Sequence, residues 1–180
     1  MAAGMIVVAI DPGLTGACSV VDHNGLRAVF DLPTMVDPTA GPAAKIKSKI
    51  DARALVRQLR QHCPAGEPVQ AVVETIRAMA PKADGGKDHT AQSQGSLLRT
   101  FGTVEAVLEC LGWKPQYASP QAWKRHFGLI DKKLTATQRK RKSLECARRL
   151  YPDCGEIARA RDHNRAEAVL IGHYYRQVTA

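Results

Sequence analysis

Met5–Ala17 reads MIVVAIDPGLTGA, and the fold turns on how this stretch is read. Ile6, Val7, Val8, Ala9 and Ile10 form a continuous apolar run, largely β-branched, which predicts a strand covered on both faces. The run ends in Asp11 and Pro12-Gly13 follows at once, so the strand stops where the carboxylate is presented. A carboxylate at the end of a rigid strand is held in place, as a group that fixes a metal ion against a substrate must be. Asp11 alone equally suits the opening of a turn before Pro12. A second acid in the same setting favours the metal reading: Val69–Glu74 reads VQAVVE, another β-branched run ending in a carboxylate. Glu74 by itself would be a solvated strand end. Together the two predict a metal site along one edge of a sheet.

Working outward, Gly13-Leu14-Thr15-Gly16 is a tight turn into a second strand, Ala17 to Asp22. Asn24-Gly25 is a hairpin signal, and Leu26 to Phe30 returns as a third strand, giving an antiparallel meander. Leu32 to Lys49 changes to Pro, Gly, Thr and Lys and reads as a long loop. Its Lys45, Lys47 and Lys49 are either solvated or in contact with phosphate. Asp51 is placed to cap a helix carrying Leu55, Val56 and Leu59, ended by Pro64-Ala65-Gly66. VQAVVE then follows parallel to the first strand, closing a βαβ unit.

Ile76 to Thr90 is irregular, with Gly85-Gly86-Lys87, and suits either a flap over the proposed site or a loose loop. Gln92 to Leu111 predicts a long helix whose Gly95 and Gly102 share a face for packing on the sheet or on a second subunit. Trp113 to Ala118 is the fifth strand, and Ser119-Pro120 opens a short helix with Trp123, Lys124 and Phe127. Lys132 to Arg149 is the most basic segment, centred on Arg139-Lys140-Arg141-Lys142, with Leu144, Ala147 and Leu150 as its core side. A last helix starts near Asp162 and buries Ala166, Val169, Leu170 and His173 or nearby positions. His163 and Glu167 are four apart and share a face. Asn164 with Glu167 also fits a capping box, and Asp162 an N-cap.

The 180 residues suit one domain, 1–180, and 44% hydrophobic content excludes a disordered chain. A formal net charge of +9 favours a polyanionic partner. No basic amphipathic helix with an aromatic face argues for a membrane. The five cysteines are scattered, with no zinc spacing and no even count for a closed disulfide set, so free thiols in a reducing cytoplasm are expected. No apolar stretch reaches transmembrane length and no signal peptide precedes the first strand.

Four acids, Asp11, Glu74, Asp162 and Glu167, with His163 assisting, are therefore the candidate catalytic and metal-ligating set. Hard carboxylate oxygens suit Mg²⁺, with Mn²⁺ as the alternative, and two such ions clamp a scissile phosphate without a protein nucleophile. The candidate DNA contacts are Lys45, Lys47, Lys49, Arg77, Lys82, Lys87, Lys124, Lys132, Lys133, Arg139, Lys140, Arg141 and Lys142.

Asp11-Pro12-Gly13, the VVE strand at Glu74, the Gln94-Gly95 to Gly102 helix, Ser119-Pro120…Trp123-Lys124 and the terminal DHNRAEAVLIG resemble RuvC-type Holliday-junction resolvases of the ribonuclease H-like superfamily. The likeness is to the divergent phage and prophage forms. It implies an α/β ribonuclease H-like fold with a five-stranded mixed sheet, its first three strands antiparallel, flanked by helices. It also implies a homodimer, built through the Gln92–Leu111 helix, that cuts four-way DNA by paired nicking in a bacterial cytoplasm. The family's acids fall on Asp11, Glu74 and Glu167, and the fourth falls on Asn164, a poorer ligand, which passes that role to Asp162 or His163. Where family members carry an aromatic wedge, this chain has Arg77 and Met79. Two alternatives remain: a ribonuclease H-like nuclease for other branched or hybrid duplexes, and a DNA-binding module that does not cut. An actin-like ATPase would need a duplicated fold, and the chain is too short and has no internal repeat.

Overall fold

A computed structural model describes residues 4–76 and 91–179. Strand β1 (Ile6–Asp11) lies at the middle of a five-stranded sheet. It pairs antiparallel with β2 (Ala17–Asp22), which pairs antiparallel with β3 (Gly25–Asp31). Strand β4 (Thr34–Val36) and strand β5 (Ser48–Ile50) form a separate antiparallel ribbon. Helix α1 (Ala52–His62) then leads into β6 (Val69–Glu74), parallel to β1 on its other side. Helix α2 (Ala91–Cys110) leads into β7 (Gln116–Ala118), parallel to β6 at the far edge. After it come α3 (Pro120–His126), α4 (Ala136–Leu150), a short 3-10 turn (Gly155–Ile157) and α5 (His163–Thr179). The sheet order is β3-β2-β1-β6-β7.

The period-2 alternation of a strand sends its side chains to two different cores. On β1, Ile6, Val8 and Ile10 enter one core together with Leu55 and Leu59 of α1 and Val104 and Leu108 of α2. Val7 and Ala9 enter the other, with Trp123, Leu144, Val169 and Leu170. Strand β6 divides the same way, Ala71 and Val73 against α1 and α2, Val72 against α3 and α5. Both central strands are thus covered on both faces, which is why they read as unbroken apolar runs.

Helix α5 lies unusually close to the sheet. A Cβ on Gly172 would stand 2.7 Å from Ser19 Oγ and 2.9 Å from Val21 Cγ2, so only glycine fits. One turn earlier, the buried Ser19 hydroxyl donates to the Ala168 carbonyl at 2.7 Å, pinning helix to strand. Such a bond contributes on the order of 1 kcal/mol and fixes the register of α5 along β2.

Asp51 caps α1 as expected, accepting from Ala54 N at 2.9 Å. Four other expectations need correction. The segment 32–49 is not a plain loop: short β-branched and apolar pieces at each end pair as the β4–β5 ribbon, and the Pro- and Gly-rich middle hides them. The strand expected over 113–118 is shorter, because Trp113 is buried in the α1–α2 core with the Arg60 guanidinium 5.5 Å from its ring. Leu150 is 37% exposed rather than core, since α4 ends there. Of the two packing partners expected for Gly95 and Gly102 the sheet is not one, for among the described residues a Cβ on either would meet nothing within 4 Å. All five cysteines are free thiols. Among the described residues no helix is long and apolar enough to cross a membrane.

Candidate active site

Asp11 and Glu74 are placed by the sheet itself. Ile10 pairs with Val73 in parallel register, so the next residue of each strand, Asp11 and Glu74, ends two neighbouring strands at the same edge. Strand spacing sets their Cα atoms on the order of 5 Å apart. Alternation then sends both side chains to the face of Val7, Ala9 and Val72, the face covered by α3 and α5. The turn after Asp11 is held tight by Gly16, whose N–H donates to the Gly13 carbonyl at 3.0 Å. A Cβ on Gly16 would fall 2.1 Å from the Asp11 carbonyl oxygen, so the turn that presents Asp11 requires glycine there.

Glu167 reaches the same place from α5. One of its carboxylate oxygens takes Lys124 Nζ at 3.4 Å and the other takes Ser143 Oγ at 3.2 Å. Glu74 in turn accepts the indole N–H of the fully buried Trp123 at 2.9 Å. The acids' charges bear on Asp11 and Glu74. Burial and then the charges of Glu74 and Glu167 push the Asp11 carboxyl up to about 8. Glu74 is also raised, first by burial and further by Glu167, while Lys124 and the Trp123 N–H oppose the shift. Lys124 and Lys140 are the cations that lower Asp11. His163, one turn before Glu167, is pushed down, first by burial and then by Lys140, and so presents a neutral imidazole at pH 7.

The structure gives Asp162 a different job. Its carboxylate is buried and receives the backbone N–H of Arg159 at 2.8 Å and Arg159 Nη2 at 3.0 Å. Those bonds and the charge of Arg165 hold it below the usual carboxylate range, against the cost of burial. It closes the turn before α5. Asn164, where the family pattern carries an acid, donates to the Thr15 carbonyl at 2.5 Å and so ties α5 to the turn behind Asp11. The expected capping box is not formed: α5 begins at His163, so Asn164 lies inside the helix, and Glu167 turns to Lys124 and Ser143.

Of the expected DNA contacts, Lys124 and Lys140 stand at this site. Lys132, Lys133, Arg139 and Arg141 are exposed on α4 or the segment before it, and Lys142 Nζ donates to the Gly128 carbonyl at 2.8 Å. Lys45, Lys47 and Lys49 lie on or beside the β4–β5 ribbon. Arg77, Lys82 and Lys87 lie outside the described residues. The sequence reading missed two partners of the acids. Trp123 reads only as part of the short helix after Ser119-Pro120, and Ser143 lies unremarked inside a basic run; no local sequence signal ties either to Glu74 or Glu167.

Among the described residues no three His, Cys, Asp or Glu side chains stand in metal-holding geometry as placed. In kind the donors fit a hard divalent cation: carboxylate oxygens on rigid elements, with a mutual repulsion that a 2+ ion relieves. In position, Glu74 and Glu167 are partly occupied by Trp123, Lys124 and Ser143.

A mixed sheet with an antiparallel first half, a parallel second half and a C-terminal helix carrying an acid across its face defines a ribonuclease H-like fold. Among solved structures the chain is similar to RuvC of T. thermophilus in complex with Holliday junction substrate, at 16% identity over 98% of this chain and 96% of that one, TM-score 0.55. A second structure, Thermus thermophilus RuvC, covers 98% of both chains at 16% identity with a TM-score of 0.49. At this identity the likeness establishes a RuvC-like fold. No protein-family model matches the chain. No curated protein sequence matches it.

Proposed function

We propose that this chain is a metal-dependent, structure-selective endonuclease that resolves four-way DNA junctions by paired nicking. One observation carries the reading: Asp11 and Glu74 end neighbouring parallel strands at one sheet edge, Glu167 on α5 raises both electrostatically, and the fold is similar to that of a RuvC in complex with a Holliday junction. Asp11, Glu74 and Glu167 would hold the metal, Mg²⁺ or Mn²⁺, with His163 as the neutral fourth donor. Bound there, the divalent cation supplies an activated water and charge stabilisation for phosphodiester hydrolysis. The chain's own contribution is positional. Trp123 fixes one Glu74 oxygen, Ser143 fixes one Glu167 oxygen, and Lys124 offsets part of the negative charge until substrate arrives. Lys140 and the exposed cations of α4 face the incoming phosphate backbone.

Paired nicking needs two copies. The outer face of α2, with Val56 of α1, forms a shallow, mostly apolar groove of about 530 Å³ lined by Gly102, Ala106, Val107 and Cys110 together with Arg53 and Arg99. Among the described residues nothing stands within 4 Å of a Cβ built on Gly95 or Gly102, which supports a second α2 packing there.

The test is cleavage of an end-labelled mobile four-way junction in Mg²⁺, Mn²⁺ or EDTA, resolved on a denaturing gel beside a plain duplex, a flap and an RNA–DNA hybrid. Symmetric paired nicks that vanish with Asp11→Asn support the proposal. Preferential cutting of the flap or hybrid supports the broader nuclease, and binding without cuts supports a non-cutting module. Metal-dependent cutting that survives Asp11→Asn overturns the assignment of the site.

A further inference from the structure

The β4–β5 ribbon and the start of α1 enclose a groove of about 580 Å³ whose lining includes Lys49, Arg53, Arg57 and Arg99. Its charge is unbalanced for a structural reason. Of its two acids, Asp37 is buried and taken by Arg99 at 2.5 Å, while Asp51 is used as the N-cap of α1. Arg99 also donates to the Ser48 carbonyl at 3.4 Å, so its charge is spent fastening the ribbon to α2. Among the described residues no acid pairs with Lys49, Arg53 or Arg57. Arg53 and Arg57, four apart on α1, share a face and are exposed. Lys47 joins the same ribbon end, its carbonyl accepting from Asp37 N at 2.9 Å.

The groove opens beside the sheet edge that carries the acids. Asp11 pairs with Ala17 and Ala17 with Asp31, and β4 begins three residues later. Two strand spacings put Asp31, three residues before the ribbon, on the order of 10 Å from Asp11. Yet the groove lies across the sheet from α3 and α5, because α1 packs on the opposite face. A polyanion held at Asp11 and extending past the β3 edge would meet this second set of cations.

We propose that the groove presenting Lys49 and Arg57 is a second phosphate-binding surface, taking the backbone of a duplex arm that leaves the cutting site. The proposal rests on the nuclease reading above and adds where a further arm is held. The groove presents no aromatic ring for base stacking, so its contribution is independent of sequence. Arg53 and Arg99 line both this groove and the apolar α2 groove, whereas Lys49 and Arg57 line this one and not the other, so removal of Lys49 and Arg57 leaves the proposed dimer face intact.

The experiment measures binding of a four-way junction in EDTA over a range of KCl concentrations, for wild type, Lys49→Ala/Arg57→Ala and the charge-keeping Lys49→Arg/Arg57→Lys. Each phosphate contact contributes about 0.9 to the slope of log K against log salt. The alanine pair is expected to flatten the slope by about 2, equally for junctions of different sequence, and the charge-keeping pair to retain it. A wild-type slope left unchanged by the alanine pair overturns the groove and leaves the nuclease reading standing. A wild type that binds no DNA at any salt overturns that reading, and the groove with it.

Discussion

Asp11→Asn should make the metal-free protein more stable as pH rises, although the residue is proposed to be indispensable for cutting. In the folded chain the Asp11 carboxyl is raised to about 8 by burial and by Glu74 and Glu167. In the unfolded chain it titrates near 4. Between those values the native state holds a proton that the unfolded state has released, so stability falls by about 1.4 kcal/mol per pH unit. The contribution is fully present below pH 4 and is lost as pH rises through 8. At pH 7 the full shift corresponds to about 4 kcal/mol, an upper bound because Asp11 is partly open to water and the site can relax. Asparagine keeps the shape and removes the ionisation, so an advantage of about 2 kcal/mol at pH 8 is expected, shrinking toward pH 5. Urea unfolding in EDTA at pH 5, 6.5 and 8 measures it. With Mg²⁺ added, wild type should recover stability and the variant should not, since a ligand stabilises only the state that binds it. A wild-type-minus-variant difference that is flat with pH, or that favours wild type at pH 8, would refute the electrostatic account of the site.

Trp123→Phe keeps the buried ring but removes the N–H held by Glu74, and should weaken metal binding roughly tenfold or more by titration calorimetry, with junction binding in EDTA unchanged. Glu167→Gln should reduce the single-turnover cutting rate by roughly two or more orders of magnitude while leaving the urea midpoint near wild type. Lys124→Ala removes a cation that lowers both Asp11 and Glu74, so the acid limb of the cutting-rate profile should move to higher pH. Gly172→Ala places a methyl 2.7 Å from Ser19 Oγ and should cost about 1–3 kcal/mol by urea unfolding, without a change in the metal requirement.

The sheet was legible because its information is local. A β-branched run that stops at an acid and a Pro-Gly says where β1 ends, and the second such run places its parallel neighbour. Asp11 and Glu74 follow from that alone, since equal register and period-2 alternation carry both side chains to one face. The β4–β5 ribbon was not legible, because each strand is three residues long and pairs across a Pro- and Gly-rich middle. Asp162 misled for a related reason: an acid at a helix start serves a turn or a metal equally well, and the choice lies with Arg159, whose side chain folds back three residues onto it.

The partners of the acids carry the larger lesson about how this site is built. Glu74 and Glu167 sit on different elements, and neither sequence context specifies its orientation. Orientation is supplied by α3 and α4, through Trp123, Lys124 and Ser143, each more than twenty residues away in the chain from the acid it touches. These contacts hold the carboxylates apart from a common ion while also keeping three acids stable at one buried edge. A cation and a phosphate backbone arriving together would take over both tasks, the ion offsetting the acids and the phosphate competing for Lys124. On that argument metal and DNA bind with positive coupling, so the Mg²⁺ half-saturation concentration, measured by titration calorimetry, should fall when uncleaved junction is present. Equal metal affinity with and without junction would mean that Lys124 stays on Glu167 throughout.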